Sequence, residues 1–339
     1  MSRYALLIAP SANRVYASAS TRLARSELAM FGTVLSAPPT EVAEEAIGGV
    51  PYLGFTASLT ERDLAYLANL SSIYVLFEVV GELLRPVPLQ PRACFDDDLI
   101  TIPKYAGKTN EQFTKLLLNA TLLASGWDLA GRPLTVLDPL CGRGTTLNQA
   151  LMYGYDAVGI ELDGKDVDAY SAFLRTYLQR KRIKHRAQLN PVRRERKLVA
   201  RKLEVSLGSG RQPAREHTLT VLNADTTRAR ELLRPGCADV LVADMPYGVA
   251  HGSHTAAGGL RRDPLELLRA AVPVWLELLR PGGAIGLSWN THVAKRAEAV
   301  QILAGHGLSI VDGPGYLDLA HRVDQAINRD VLVARREPG

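Results

Sequence analysis

The chain has 339 residues, of which 47% are hydrophobic, and a formal net charge of +5 with a pI near 9.1. This length suits one large or two ordinary globular domains, and no apolar run is long enough to cross a bilayer. The three widely spaced cysteines exclude a disulfide framework and a zinc pattern, and they favour a reduced, cytoplasmic protein. Residues 1–25 lack the pattern of a secretory signal peptide.

Residues 1–90 are predicted to form a small α+β domain. Apolar and β-branched spacing predicts strands at Tyr4–Ala9 and Ile73–Val80, and helical spacing predicts a helix over Arg22–Phe31. Thr60, followed by Asp63, has the capping pattern of a second helix start. No residue of this domain carries chemistry by itself.

A second domain is predicted over residues 91–339, after a proline-punctuated linker. Thr109 or Asn110 can cap its first helix, on which Phe113 and Leu117 are apolar. Further strands are predicted at 157–160, 219–222, 284–288, 308–311 and 330–334, and the last two are expected to pair in antiparallel fashion.

The stretch Leu134–Leu147, LTVLDPLCGRGTTL, combines a buried strand with a glycine turn. Asp138 stands at the strand end, Gly142 and Gly144 lie in the turn, and Thr145 is a good N-cap for the following helix. Such a turn lets the backbone approach a ligand closely and present N–H groups to it. A tight turn of any α/β protein would have the same pattern.

A second motif, VLVADMPYG, begins at Val240. It places a carboxylate (Asp244), a rigid turn (Met245 and Pro246) and an aromatic ring (Tyr247) after another buried strand. These side chains are therefore expected at one rim of the sheet.

The two motifs resemble the signatures Asp-Pro-x-Cys-Gly-x-Gly-Thr and Asp/Asn-Pro-Pro-Tyr of the class I S-adenosylmethionine-dependent amino-methyltransferases. Met245 departs from this pattern, which usually has proline there. The resemblance implies an α/β class I methyltransferase fold, a doubly wound and mostly parallel seven-stranded sheet, preceded here by the small α+β domain. It also implies S-adenosyl-L-methionine as the cofactor, S-adenosyl-L-homocysteine as the product, and N-methylation of an exocyclic amine.

The N-terminal sequence, RYALLIAP to LTERDLAYLANLSSIYVLFEVVGEL, is similar to the first domain of the tRNA guanosine-N2 methyltransferases that act at tRNA position 10. The acceptor that this similarity implies is guanosine N2 of tRNA or of a related RNA. The RNA-binding THUMP domain of that family does not fit in this chain at full length.

Cofactor contacts follow from the resemblance residue by residue. An acid after the second strand, Glu161 or alternatively Asp163, is expected to accept hydrogen bonds from the ribose. Asp225, after the third strand, is expected to accept one from adenine, with a helix N-cap as the alternative role. The segment before the glycine turn is expected at the methionine end, although an ordinary amphipathic helix with a solvated lysine is the alternative. The full set of candidates is Tyr105, Lys108, Thr109, Asp138, Cys141, Gly142, Gly144, Thr145, Glu161, Asp163 and Asp225.

The implied catalytic residues are Asp244, Met245, Pro246 and Tyr247. The carboxylate of Asp244 and the backbone carbonyl of Met245 would accept the two N–H bonds of the amine, and Tyr247 would stack on the base. Because only the carbonyl of Met245 is needed, proline at this position is predicted to be tolerated.

Residues 175–215 contain fourteen lysines and arginines and two acids, so they carry an excess of twelve positive charges on an otherwise acidic chain. A block of like charge this dense is typical of an interaction arm, often disordered until bound. We therefore expect it to bind RNA, such as tRNA; a solvated helical face or a disordered excursion is the alternative. No membrane partner is expected.

Other functions are less compatible with the sequence. His251 and His254 are spaced as a metal pair, but they lie in a glycine-rich loop without a third ligand nearby, so no metal is predicted. Cytosine-C5 methylation needs a cysteine where Tyr247 stands, and Leu147 interrupts a dinucleotide-binding fingerprint. A small-molecule, peptide or DNA acceptor remains the alternative to RNA, and a non-catalytic RNA-binding protein would not explain Asp244.

Overall fold

The structure of the chain is a computed structural model that describes residues 1–11, 13–105, 107–129, 131–208, 215–247 and 263–339. Contacts within the chain define two compact units. The first comprises Met1–Arg92 and Val311–Val331, and the second comprises Ala93–Ile310 and Leu332–Gly339. The segment Val311–Val331, predicted as part of the second domain, packs with the N-terminal residues instead.

The first unit contains an antiparallel five-stranded sheet in the order β2-β3-β1-β4-β5, with two helices. Its elements are β1 (Ser2–Ile8), α1 (Arg14–Phe31), β2 (Thr40–Ile47), β3 (Val50–Ala57), α2 (Glu61–Leu67), β4 (Ile73–Val80) and β5 (Leu83–Val87). The helix α1 begins earlier than predicted because Asn13 caps it, accepting hydrogen bonds from the Val15 and Tyr16 amides. The predicted capping box of Thr60 and Asp63 is present at α2.

The second unit contains the parallel sheet and its helices. The helices are α3 (Asp98–Thr101), α4 (Glu111–Ala124), α5 (Thr145–Met152), α6 (Gly164–Arg180), α7 (Pro264–Leu278) and α8 (Arg296–Gly305), with a 3₁₀ helix at Thr226–Glu231. The strands are β6 (Thr135–Asp138), β7 (Asp156–Glu161), β8 (His185–Arg194), β9 (Lys197–Gly208), β10 (Glu216–Asn223), β11 (Ala238–Asp244), β12 (Leu279–Asn290), β13 (Ser309–Ile310), β14 (His321–Arg322, a segment of the first unit) and β15 (Asn328–Arg335).

The strand order is β13-β15-β12-β11-β6-β7-β10-β9-β8, with β14 paired to β15. β10, β7, β6, β11 and β12 run parallel, and β13 pairs with β15 in antiparallel fashion, as predicted. The prediction of seven strands is wrong for the described residues. The sheet has ten strands, because β8, β9 and β14 join those that the sequence predicts.

Helices cover both faces of the sheet, as in a doubly wound α/β fold. One face carries a core of α7, α8 and neighbouring strands around the fully buried Trp275. On the other face, α4 packs on α5, and Tyr170 of α6 donates a hydrogen bond to Asn148 of α5. The chain runs from β6 outward to β7 and β10, then returns to β11 on the other side of β6, so the switch point lies between β6 and β11. Ligands bind at such a point, outside the carboxyl ends of the strands.

None of the helices that the structure describes combines the length and apolar character needed to span a membrane.

Candidate active site

A cavity of about 750 Å³ opens at the carboxyl ends of β6 and β11. This volume lies within the usual range of small-molecule sites, roughly 300–1,000 Å³. Most of the predicted site residues line it, namely Tyr105, Thr109, Asp138, Cys141, Gly142, Thr145, Asp163, Asp244, Met245, Pro246 and Tyr247. The two sequence motifs therefore meet at one cavity, because their parallel strands end at the same edge of the sheet.

The glycine turn at the cavity wall requires its glycines for two reasons. Gly142 and Gly144 both have positive φ, +49° and +79°, where L side chains are strained. A Cβ atom on Gly144 would also lie 2.5 Å from the ring of Tyr170. The turn is closed by the amide of Gly144, which donates to the carbonyl of Cys141 at 2.7 Å.

The helix after this turn begins differently from the prediction. Gly144, not Thr145, is the N-cap of α5, and no side chain caps the helix. The hydroxyl of Thr145 is instead 3.0 Å from that of Tyr105. Glycine has no side chain that could accept hydrogen bonds from the amides of the first helical turn. A helix start of this kind suits an anionic group.

Asp138 is the most buried acid of the cavity wall, with 4% of its surface exposed. Burial raises its pKa from 3.8 to about 7, and the charges of Asp244 and Glu161 act in the same direction. The amide of Leu140 donates to Asp138 Oδ1 at 3.1 Å and partly offsets this effect.

Three hydroxyl groups donate to the carboxylate of Asp244. Thr109 donates to Oδ2 at 2.6 Å, and Tyr247 and Ser288 donate to Oδ1. Ser288 lies on β12 directly opposite Asp244 in the strand pairing. Sequence reasoning missed Ser288, because only the register of β11 and β12 brings it to the carboxylate.

Two predictions about the turn after Asp244 concern residues whose contacts the structure shows. The amide of Met245 donates to the carbonyl of Ser288 at 2.8 Å, and the Met245 side chain is buried. Proline at this position would lose that hydrogen bond, a cost that the sequence did not show, and its tolerance stays a prediction. The hydroxyl of Tyr247 is bonded to Asp244, and stacking of its ring on a base stays a prediction.

Glu161 does not line the cavity. Its Oε2 accepts from the amide of Gly142 at 2.9 Å, and its Oε1 accepts from the amide of Asp163 at 2.7 Å. Burial raises its pKa, while these two bonds lower it. The observed contacts of Glu161 are therefore structural, since they tie the glycine turn to the end of β7, and its contact with the ribose stays a prediction. Asp163, the alternative residue, does line the cavity and caps α6.

Three further candidates do not line the cavity either. The ammonium of Lys108 donates to the carbonyl of Ile100 at 2.8 Å and pairs with Glu111, so its contact with the cofactor stays a prediction. Asp225 caps the 3₁₀ helix by accepting from the amide of Thr227 at 2.9 Å, and its contact with adenine stays a prediction, since one residue can have both roles. Gly144 lies in the turn on the side away from the cavity, next to the ring of Tyr170.

Three charged residues of the cavity wall were not predicted from the sequence. Arg143, Lys165 and Asp166 line it. Arg143 Nε lies 2.8 Å from Asp166 Oδ1, and the guanidinium stands 4.9 Å from the ring centre of Tyr105. The position of Arg143 between Gly142 and Gly144 could have identified it from the sequence as a residue of the cavity wall.

The basic stretch 175–215 is ordered over most of its length. It comprises the end of α6 and a hairpin of β8 and β9 that extends the sheet beyond β10. A block of like charge can be disordered until bound, but residues 175–208 form the end of a helix and a hairpin. Residues 209–214 lie outside the described part of the chain. Several cations of the stretch form ion pairs, which join Arg201 to Asp168, Lys181 to Asp96 and Asp98, Lys202 to Glu204, and Arg215 to Asp156.

The possible metal pair, His251 and His254, lies outside the described residues. Within the described ranges, no group of three or more histidine, cysteine or acidic side chains is arranged to hold a metal ion.

No protein-family model and no curated protein matches the chain. Among solved structures, it is similar to the precorrin-6y C5,15-methyltransferase of Geobacter metallireducens, with 14% identity, coverage of 73% of this chain and 99% of that chain, and a TM-score of 0.39. It is similar to a fibrillarin pre-rRNA processing protein of Methanococcus jannaschii, with 13% identity, coverage of 78% and 95%, and a TM-score of 0.39. A Burkholderia thailandensis 1,6-didemethyltoxoflavin-N1-methyltransferase matches with 18% identity, coverage of 61% and 72%, and a TM-score of 0.34. Similarity at this level assigns neither a family nor a reaction, so the function has to follow from the residues of the site.

Proposed function

We propose that the chain is an S-adenosylmethionine-dependent N-methyltransferase that acts on an exocyclic amine of a base. The observation that carries this proposal is the position of Asp244. Its carboxylate stands at the rim of the cavity, beside the strand whose glycine turn forms the cavity wall. A carboxylate there can accept a hydrogen bond from the N–H of an amine while a second ligand lies against the glycine turn.

The charges of the cavity fit S-adenosylmethionine, which carries a cationic sulfonium, an ammonium and a carboxylate. Four acids line the cavity, and three of them, Asp163, Asp166 and Asp244, favour the two cationic groups, whereas burial keeps Asp138 protonated up to about pH 7. The uncapped start of α5 and the nearby Arg143 suit the carboxylate. When bound, this cofactor supplies an electrophilic methyl group.

The residues around Asp244 orient the acceptor amine. The lone pair of an exocyclic amine is delocalised into the ring, which makes the nitrogen a poor nucleophile. Asp244 and the Met245 carbonyl accept hydrogen bonds from its two N–H groups and thereby favour a pyramidal, more nucleophilic nitrogen. Of the three hydroxyls on Asp244, that of Ser288 is fully buried, whereas Tyr247 lines the cavity. An amine that enters the cavity can therefore replace the Tyr247 hydroxyl and leave its ring to stack on the base.

The acceptor within this proposal is guanosine N2 of tRNA or of a related RNA. The motif resemblance supports it, and so does the excess of positive charge on residues 175–215, which suits a polyanion. A base inside a helical stem has to be flipped out to reach a cavity of this kind.

Calorimetry and nucleoside mass spectrometry test the proposal. We expect S-adenosylmethionine and S-adenosylhomocysteine to compete for one site, and bulk tRNA incubated with the enzyme to gain N2-methylguanosine. Asp244→Ala should lower turnover by about a hundredfold or more, the scale for losing one preorganised catalytic hydrogen bond, while cofactor affinity changes little. Absence of cofactor binding, or methylation at carbon or oxygen, would overturn it.

A further inference from the structure

The hairpin of β8 and β9 has a tight, positively charged tip. The pairing of Arg194 with Lys197 leaves a loop of two residues, Glu195 and Arg196, with φ of +47° and +64°. Two-residue hairpin loops with positive φ at both positions usually have asparagine and glycine, which adopt these angles more easily. Here two long charged residues occupy the strained positions, and such outliers indicate a role beyond closing the turn.

This tip lies at the same edge of the sheet as the cavity. β10 runs parallel to β7 and β6, so Asn223 at its carboxyl end is on the cavity side. β9 runs antiparallel to β10 and pairs Arg201 with Asn223. The four residues of β9 before Arg201 therefore project past that edge. At about 3.3 Å per residue, they extend about 13 Å beyond it. From β11 to β9 there are four strand spacings, or about 19 Å across the sheet.

The cations of the tip differ from the ion-paired cations Lys181, Arg201, Lys202 and Arg215, and they differ from the exposed cations Arg180, Arg182, Lys184 and Arg186 only in lying at the carboxyl edge. Arg193, Arg194, Arg196 and Lys197 are exposed, and within the described residues none of them forms an ion pair. Arg194 also donates to the carbonyl of Glu231, which attaches the tip to the 3₁₀ helix. The hairpin thus places Arg193, Arg196 and Lys197 beside the carboxyl edge, where they outnumber the one acid of the tip, Glu195, while Arg194 lies near Glu231.

We infer that this hairpin tip binds the phosphate backbone of the acceptor RNA and sets which nucleotide reaches the cavity. The inference rests on the proposed function for the identity of the polyanion. Cations that lack acidic partners within the protein bind phosphates by releasing condensed counterions, and arginine also makes paired hydrogen bonds to phosphate oxygens. The distance across the sheet is spanned by a nucleic-acid strand whose base enters at Asp244 while its flanking phosphates contact the tip.

Two matched triple variants test the inference. The tip variant is Arg193→Gln, Arg196→Gln and Lys197→Gln, and it leaves Arg194 in place. The control variant is Arg180→Gln, Lys184→Gln and Arg186→Gln. It removes the same number of arginines and lysines from exposed positions at the opposite edge, where α6 ends and β8 begins.

Binding of bulk tRNA is measured by filter binding over a range of salt concentrations. Each phosphate contact contributes about 0.7–0.9 to the slope of log affinity against log salt, so the tip variant should lose about 2–3 from this slope. The control variant should keep the wild-type slope, and both should keep the wild-type cofactor affinity and melting temperature. The KM for tRNA should rise in the tip variant with little change in kcat.

Equal slopes for the two variants would overturn the inference even if the enzyme methylates tRNA. A tip-specific loss of tRNA binding would support it even if methylation of tRNA is not detected, which separates its failure from that of the proposed function. Tip-dependent binding of polyglutamate with no such effect on tRNA would overturn it in favour of an acidic protein partner.

Discussion

The hydroxyl of Thr109 donates a hydrogen bond to Asp244 Oδ2 at 2.6 Å, although the two residues are 135 positions apart in the chain. Thr109 precedes α4, and Asp244 ends β11. The segment before the glycine turn is therefore attached to the predicted catalytic carboxylate, and Thr109 is a positioning residue rather than only a candidate cofactor contact.

Replacing Thr109 with valine keeps its shape and removes this donor. We expect kcat to fall roughly 10- to 100-fold, since a hydrogen bond to a charged group contributes about 1.5–3 kcal/mol. The dissociation constant of S-adenosylmethionine, measured by calorimetry, should change little. Thr109→Ser keeps the hydroxyl and should restore kcat. A valine variant with wild-type kcat, or a serine variant as impaired as the valine variant, would contradict this role of the hydrogen bond.

Tyr247 is expected to contribute its ring to the acceptor site and its hydroxyl to the free enzyme. Tyr247→Phe removes the competing hydroxyl and should lower the KM for the RNA acceptor without a large loss of kcat. Tyr247→Ala removes the ring and should weaken acceptor binding by about 1–3 kcal/mol, the scale of stacking on a single-stranded base. Steady-state kinetics with tRNA compare the two variants, and a phenylalanine variant as impaired as the alanine variant would refute the stacking role.

The raised pKa of Asp138 makes the stability of the protein depend on pH. The buried carboxyl stays protonated in the folded state up to about pH 7, whereas in the unfolded chain it ionises near 3.8. Between these values the folded state binds more protons, so this group's contribution to the free energy of unfolding is lost as the pH rises towards 7. Asp138→Asn mimics the protonated acid and should gain stability relative to the wild type as the pH rises from 4 to 7.

Urea unfolding at several pH values measures this difference. The same substitution at the exposed Asp312 serves as the control and should leave the pH dependence unchanged. A constant difference between the Asp138 variant and the wild type across this range would mean that Asp138 is ionised throughout.

Glu161→Gln should destabilise the ligand-free protein. Each oxygen of Glu161 accepts from a different backbone amide, and an amide side chain presents only one acceptor. We expect the free energy of unfolding to fall by about 1–3 kcal/mol, because the backbone amide of Gly142 or of Asp163 then faces the NH₂ group of the glutamine and loses its hydrogen bond. Asp225→Asn is the control, since a single oxygen of Asp225 accepts both bonds from Thr227 and asparagine retains it. Weaker cofactor binding at unchanged stability would instead support the ribose contact.

The two glycines of the turn should differ in their tolerance of alanine. At Gly142 the added Cβ meets no atom within 4 Å, so the cost is that of the left-handed backbone, about 1–2 kcal/mol. At Gly144 the Cβ also overlaps the ring of Tyr170, which should add about 1–3 kcal/mol. Unfolding of both variants in urea compares these costs, and equal values would mean that the ring moves freely.

The sequence by itself determined the local features of this site. The buried strands before Asp138 and Asp244, the glycine turn and the cap of α2 follow from neighbouring residues, because periodicity and turn chemistry act over a few positions. The resemblance placed both motifs at strand ends, and parallel strands bring such ends to one edge.

The tertiary structure decided which partner each polar group takes. Glu161 accepts from the glycine turn, Ser288 faces Asp244, and the basic stretch predicted as an interaction arm forms a hairpin on β10. The strand register and the packing of distant segments select these contacts. A one-residue shift of β12 would turn Ser288 to the other face of the sheet, and no local pattern in the sequence records that register.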